Sequence, residues 1–504
     1  MFPTFQRWLV PSSGQCLWLV LVLVLLAEPS RTSMVATDAD ACMHWRVGED
    51  MLRSGQVVRA DTYSHTMPGA PVITKEWLSE IFFAAAGRLG GYKGLGVLGA
   101  LAIATTFWLL HRQLLREGND LLIATLVTLL AAWAGVIHWL ARPHVFTFLL
   151  LLLWNGALRR FEADGRPMRL AVVLAALMLF WVNLHGAFLL GFVVLGAYWL
   201  GAVIEFIRPP AAVPRTAARR KIFWLTIAGL LALAVSLINP NGWHLHQHNI
   251  QFMRSSYLTN LLFEHRPINF HSSDALGFLM WLAALIAALA VRQRPRLPAS
   301  SVILIAGWTY LALYAVRNIP LMALVTAPIV ASAFSACVRG RWREKSQRLS
   351  AENAASNGWP VVALIALIAV VLVPRSTDMP PDRWPVNAVK FINQHPEQFT
   401  GNMLNQHAWG GYLMWVMPER KVFVDGRTDF YGEAFIRNFL DLTELRPGWR
   451  EKLDTCKVSW TLLTTDHPLT QALALAQNWR LAYSDSLATI YACTPAKPVR
   501  SEAP

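Results

Sequence analysis

The chain has 504 residues, 55% of them hydrophobic and only 15% charged, with a mean hydropathy of +0.37. A soluble protein of this size carries more charge, so composition points to a polytopic membrane protein. The formal charge of +14 does not imply nucleic acid as a partner. The basic residues fall in short clusters between apolar runs, not as a stripe on one soluble face.

The apolar runs predict about eleven spans of roughly 17–22 residues, each enough to cross ~30 Å of hydrocarbon. They cover 14–29, 92–112, 120–140, 142–158, 169–184, 186–207, 221–238, 275–291, 298–316, 319–338 and 358–374. The first run has two readings. Arg7 and the apolar stretch 17–26 resemble a signal peptide, but residues 27–36 lack a clear A-x-A site, which favours an uncleaved anchor. Orientation follows from the connectors. One set carries Arg112/Arg116, Arg159/Arg160/Arg166/Arg169, Arg208/Arg215/Arg219/Arg220/Lys221, Arg292/Arg294/Arg296 and Arg339/Arg341/Arg343/Lys345/Arg348. The other holds Arg142, Arg254, Arg266 and Arg317. This asymmetry places the N-terminus in the cytoplasm and leaves residues 30–91, 239–274 and everything after 375 outside. Compact loops with basic inner connectors suit a bacterial inner membrane.

The expected architecture is thus a polytopic α-helical domain over 1–375, including the first outer loop 30–91, followed by an extracytoplasmic α/β domain over 376–504. In that last stretch, alternation in 421–425, 458–463 and 488–492 reads as strands, and 385–395, 433–454 and 468–478 read as helices.

The first outer loop is the densest functional candidate. Asp38 and Asp40 stand at its head, just past the first apolar run, followed by His44, Trp45, Glu49, Asp50, Asp61, His65, Lys75, Glu76 and Trp77. Carboxylates at a membrane surface are costly to keep beside lipid and mark binding or proton transfer. Asp38 capping a helix is the plainer role. The stretch from Glu76 to Leu89 has an apolar face and reads as an interfacial helix.

Arg142 and Arg317 sit at outer helix ends, where a guanidinium either grips phosphate or snorkels to headgroups. His144 follows Arg142-Pro143. His185, in Trp181-Val-Asn-Leu-His-Gly186, lies at a tight turn that either lines a cleft or serves the turn alone. His244, His246 and His248 alternate as metal ligands on a strand would, although a loop or helix start fits the local sequence better, so no metal site is assigned. Asp425-Gly-Arg427 follows a predicted strand, with Trp409 and Tyr412 near in sequence. Those rings are candidates to stack on sugar, and a satisfied Asp–Arg turn is the preferred alternative for Asp425 and Arg427. Cys456 and Cys493 either pair in an oxidising compartment or stay as thiols.

The layout resembles the GT-C glycosyltransferases. The features that carry the likeness are the acidic pair after the first span, the long first outer loop, an interfacial helix before the second span and an outer C-terminal domain. Arg142-Pro-His144 and Arg317-Asn-Ile-Pro320 at outer helix edges add to it. The nearest layouts are those of protein O-mannosyltransferases and the aminoarabinose transferases of lipid A. The stretches Asn405-Gln-His-Ala-Trp-Gly-Gly-Tyr412 and Val422-Phe-Val-Asp-Gly-Arg427 are similar to the outer domain of oligosaccharyltransferase catalytic subunits. The chain departs from the pattern in having Asp-Ala-Asp where many relatives carry Asp-Glu, and Lys75-Glu76-Trp77 where they carry Lys-Pro-Pro.

The resemblance implies inverting transfer of a sugar from a polyprenyl-phosphate donor to a lipid, glycan or protein acceptor at the outer face. Asp38 would be the base. Asp40 would orient the acceptor or hold a divalent cation, and His44, Trp45, Glu76, Arg142, His144, His185 and Arg317 would bind substrate. The rivals are a transporter or flippase for lipid-linked glycans, which needs ionisable residues at mid-membrane, and a non-catalytic envelope assembly protein.

Overall fold

Runs of Leu, Ala, Val and Ile satisfy their backbone groups within the segment only as helices, the arrangement that a span requires. The computed structural model describes residues 8–27, 34–35, 38–209, 214–292, 297–372 and 379–493. Arg7, Arg294, Arg296 and most of the stretch 27–36 lie outside them. A helix stands at each expected run: Ser13–Ala27, the second part of Trp77–Arg116, Leu121–Gly135, His144–Asp164, Pro167–Leu184, Leu189–Ile207, Arg215–Ser236, Leu276–Val291, Ala299–Tyr314, Ile319–Ser335 and Trp359–Leu372.

Length and apolarity alone qualify 6 helices among the described residues to cross a membrane, or 7 if the pair Arg341–Ala355 and Trp359–Leu372, bent by 74°, counts as one. The expected count of about eleven is not reached on that measure. Ser13–Ala27 and Ala299–Tyr314 are short, and His144–Asp164 and Arg215–Ser236 carry charges in their end turns.

Contacts divide the chain into two units. The first holds Met1–Glu28, Lys75–Ser79 and Gly96–Pro374; the second holds Pro29–Thr74, Glu80–Leu95 and Arg375–Pro504. The break near 375 falls where the composition changes. Most of the first outer loop, which the sequence reading kept with the transmembrane part, groups with the C-terminal stretch.

In the first unit, Ile319–Ser335 is buried along nearly all its length. It packs on Leu121–Gly135, His144–Asp164, Leu276–Val291 and Ala299–Tyr314. Ala323, Ala327 and Ala331, one turn apart, let these neighbours come close, as small residues do between membrane helices. Pro328 inside the helix lacks an N–H, and such a break is tolerated where packed neighbours surround it.

In the second unit, the helix Asp40–Ser54 ends at Gly55, whose φ of 68° lets its N–H reach the Met51 carbonyl. A helix does start where one was expected: it runs from Trp77 and breaks at Gly91, where φ is 61° and ψ −146°. Only glycine adopts that pair without strain. The C-terminal sheet has strands β1 (Asn402–Asn405), β2 (Val458–Thr464), β3 (Trp479–Ser484) and β4 (Ala488–Cys493). Their order is β1-β2-β4-β3, with β1 parallel to β2 and the other pairs antiparallel. Alternation found β2 and β4.

The expected strand over 421–425 is not part of the sheet. Its backbone is held by a side chain instead: Asn405 Oδ1 accepts the Phe423 N–H at 2.8 Å, and Asn405 Nδ2 donates to the Val424 carbonyl at 2.9 Å. Residues 63–65 take the other edge, exchanging N–H···O bonds with Val422 at 3.0 Å. The expected helix over 433–454 is two, Thr428–Thr443 and Trp449–Thr455, because Leu445 and Gly448 both take positive φ. Cys456 and Cys493 are thiols.

Candidate functional site

The two units each hold a cluster of ionisable groups. In the second, Asp38 is 6% exposed and its Oδ1 accepts the Asp40 N–H at 3.0 Å. The N-cap position itself is Ala39, which offers no side-chain cap, so Asp38 binds the first helical N–H from one residue further out. Asp40 begins the helix, where a carboxylate is favoured by the exposed N–H groups. Its Oδ1 lies against Gly426: a Cβ at that position would come within 2.1 Å of it. One turn on, His44 is buried with Nδ1 3.3 Å from Glu80 Oε1. Burial first, then Asp38, push the Cys42 thiol far above its ordinary range, so it is no nucleophile.

Trp45 is a packing residue. It stacks on Trp415 with centroids 3.7 Å apart, meets Tyr92 edge-on at 5.6 Å, and is 7% exposed. Glu49 and Asp50 serve ion pairs: within their own helix, Glu49 with Arg53 at 2.8 Å and Asp50 with Arg46 at 3.2 Å, and from the next helix Arg88 with Glu49 at 2.9 Å. The hydrogen bond from Arg88 holds the Glu49 carboxyl below its usual range against the pull of burial.

Beside Asp40, Asp425-Gly-Arg427 forms a buried clamp. Arg427 Nε donates to Asp425 Oδ1 at 2.8 Å, while its Nη2 donates to Asp425 Oδ2 at 2.6 Å and Asp61 Oδ1 at 2.7 Å. Tyr431 adds a 2.8 Å bond to Asp425, and Ser64 binds the far oxygen of Asp61. Burial works to raise the Asp425 carboxyl, but the Arg427 charge and hydrogen bonds outweigh it and hold it low. The satisfied Asp–Arg pair expected of this turn is what the structure contains. Trp409 and Tyr412 are 4% and 3% exposed, placed as packing rather than as an open sugar platform.

The first unit gathers a second group. Trp181 Nε1 donates to Thr147 Oγ1 at 2.8 Å, and Thr147 meets His185 Nδ1 at 2.8 Å. With the hydroxyl proton on that contact, His185 presents its Nε2–H towards Glu76 Oε1, 3.4 Å away. His144 packs its ring 4.3 Å from that of His138 and donates from Nε2 to the His138 carbonyl at 2.9 Å. The His144 and His185 rings are 6.4 Å apart.

Arg142 and Arg317 both face Glu264. Arg317 Nη1 donates to Glu264 Oε1 at 3.0 Å and to His265 Nε2 at 2.7 Å, and Arg142 Nη1 is 3.7 Å from Glu264 Oε2. Burial favours a neutral Glu264, yet Arg317, His138 and Arg142 together keep its carboxyl well below the ordinary range. Burial and the adjacent Arg317 lower His265 to about 4, so it accepts the arginine's hydrogen as a neutral ring. Sequence reasoning missed Glu264, although it is one of two acids in the loop 239–274 and lies among basic residues. The run His244, His246, His248 lies in the helix Trp243–Arg254, where alternate residues diverge. Among the described residues no group of three His, Cys, Asp or Glu side chains is placed to hold a metal ion.

The chain shares its fold with solved membrane-protein structures, and it is multi-pass. The solved structures it resembles make that plain. Against the Archaeoglobus fulgidus oligosaccharyltransferase in its apo form the TM-score is 0.57, with 13% identity, covering 96% of this chain and 74% of that one. Against archaeal AglB from the same organism, solved with an inhibitory peptide and a dolichol-phosphate, it is 0.53 at 11% identity, covering 96% and 75%. Against ArnT from Cupriavidus metallidurans bound to undecaprenyl phosphate it is 0.52 at 13% identity, covering 95% and 97%. No protein-family model and no curated protein sequence matches the chain.

Proposed function

We propose that this protein is an integral membrane glycosyltransferase that takes a sugar from a polyprenyl-phosphate donor at the extracytoplasmic face. The observation that carries the reading is a GT-C fold extending over nearly the whole chain, in common with proteins solved on dolichol-phosphate and undecaprenyl phosphate. A likeness of fold does not by itself assign an activity; the side chains described above supply the chemistry.

Asp38 is the base. An acceptor hydroxyl oxygen attacks the anomeric carbon and the carboxylate takes its proton. The carbon–oxygen bond to phosphate breaks on the opposite side, so configuration inverts and the lipid phosphate departs with the bonding pair. Arg142 and Arg317 are assigned to the phosphate, since both are fixed cations that bind it bidentately. The backbone N–H of Asp40 orients the Asp38 carboxylate. Asp40 positions the acceptor or holds a divalent cation. His44, Glu76, His144 and His185 are polar groups for the sugar. The N-terminus lies in the cytoplasm, the C-terminal domain outside, in a bacterial inner membrane.

The test is incubation of purified protein with a panel of labelled polyprenyl-phosphate sugars, with and without a chelator, scoring release of lipid phosphate. Asp38→Asn lowers release by ~10²–10⁴-fold, the usual contribution of a general base. Release unchanged in that variant refutes the assignment of Asp38, and no release by the wild type across the panel points to transport of lipid-linked glycans instead.

A further inference from the structure

Arg116 closes one membrane-length helix, Leu121 opens the next and Ser335 closes a third. At these ends the first unit holds a cavity of about 990 Å³, lined by Arg112, Arg116 and Arg343. Among the described residues none of these three guanidinium groups is in an ion pair, though Arg112 lies over the Trp108 ring, 5.4 Å from its centroid. The carboxylates on the cavity wall are already committed. Glu117 accepts Arg159 at 3.0 and 2.7 Å. Asp120 caps the helix Leu121–Gly135, accepting N–H bonds at 2.9 and 3.2 Å.

The wall is built. Gln15, 4% exposed, accepts the Ser12 and Gly358 N–H groups at 2.8 and 3.0 Å and donates to Asn357 at 3.2 Å. Ser13 N–H reaches Asn353 at 2.6 Å. The helix Ser13–Ala27 is thereby tied to the bent pair beyond Gly340. Trp108 and Trp359, 5.3 Å apart and edge to face, form an aromatic flank.

We infer that this cavity binds the phosphate of an anionic membrane lipid. Three cations with no ion-pair partner among the described residues, two in the last turns of the helix Trp77–Arg116 and one at the start of Arg341–Ala355, call for an anion. Guanidinium donors match phosphate oxygens in forked pairs, and tryptophan at helix ends marks the headgroup level, where such a phosphate would come with its acyl chains against apolar helices. Free inorganic phosphate offers the same chemistry without the chains. The site is separate from the donor chemistry proposed above and does not depend on it.

The test is native mass spectrometry of the full chain in detergent, titrated separately with dioctanoyl phosphatidylglycerol, dioctanoyl phosphatidylcholine and inorganic phosphate. The expected result is one retained phosphatidylglycerol, weaker retention of phosphatidylcholine, and a loss of about tenfold or more in the affinity for phosphatidylglycerol in the Arg112→Gln/Arg116→Gln/Arg343→Gln variant. Arg219→Gln/Arg220→Gln, on another basic connector, keeps wild-type retention. Should the triple variant not fold, Arg343→Gln alone is read for a smaller loss. Equal retention by the triple variant, or equal loss in the Arg219/Arg220 control, overturns the site. Inorganic phosphate bound as tightly as phosphatidylglycerol overturns the lipid as its source.

Discussion

Arg427→Met is the sharpest probe of the clamp beside Asp40. The substitution keeps an apolar chain of similar reach and removes the cation shared by Asp61 and Asp425, both of whose side chains are 0% exposed. Breaking a buried pair from one side costs about 3–5 kcal/mol, because the remaining charge stays desolvated. At ~1.4 kcal/mol per factor of ten, that is a loss of two to three and a half decades in the folding constant. The effect has a pH signature. In the wild type the depressed Asp425 carboxyl stabilises the fold above its unfolded value of ~3.9, and that contribution disappears as pH falls through the folded value. In the variant burial, the largest cause, is opposed only by the hydrogen bonds from the backbone N–H at position 427 and from Tyr431, so the carboxyl moves up and the stabilisation above ~4 is lost. Thermal unfolding of the full chain in detergent, followed by near-UV dichroism between pH 4 and 8, reads both. Arg446→Met is the control: its side chain is 64% exposed and pairs with Glu444 at 3.1 Å, a surface pair worth almost nothing. Adding Asp61→Asn and Asp425→Asn to the Arg427 variant recovers much of the loss. If Arg427→Met melts within error of Arg446→Met at neutral pH, the clamp does not carry the energy argued for it.

A methyl group at Gly87 would come within 2.3 Å of the Trp45 ring, so Gly87→Ala is expected to cost about 1–3 kcal/mol through overpacking, measured in the same melts. His265 is lowered to about 4 in the fold. Its contribution is therefore complete above its unfolded value of ~6.5 and lost as pH falls towards 4. His265→Gln should flatten that part of the stability profile, and an unchanged slope would contradict the neutral ring. Glu264 divides its oxygens between Arg142 and Arg317, so Glu264→Gln should leave both cations less fixed. In the lipid-phosphate release assay, Arg317→Gln is expected to fall more than Arg142→Gln, since the Arg317 contact is 3.0 Å and the Arg142 contact 3.7 Å.

The helices were legible because a long apolar run in a membrane leaves the backbone no alternative, and their positions could be read without any contact between them. Two strands escaped for a physical reason. β1 is four residues long, and β3 at the sheet edge has Arg480 and Leu481 both exposed, with no alternation to read. Conversely, Val422-Phe-Val alternates as a strand does, but Asn405 satisfies its backbone from the side. Site residues were legible as types and not as partners. Asp61 and Arg427 lie 366 positions apart in the chain. Arg142 and Arg317 could be singled out separately as candidates for phosphate, whereas the carboxylate that draws both of them together comes from a different loop.

Within the second unit, the start of the helix Asp40–Ser54 is supported by the C-terminal stretch. Asp40 at the head of its helix rests on Gly426, and the helix packs on Gly410–Val416 through the Trp45–Trp415 stack. Residues 422–424, which place Gly426, are held on one side by Asn405 at the end of β1 and on the other by residues 63–66 of the first loop. Arg427 then ties Asp61 of that loop to Asp425. The acidic helix start therefore rests against residues almost four hundred positions downstream, which are themselves held by a set of hydrogen bonds. The role proposed above for Asp38, two residues before Asp40, would need such support, because a loop cannot by itself hold a side chain to the tolerance that proton transfer demands.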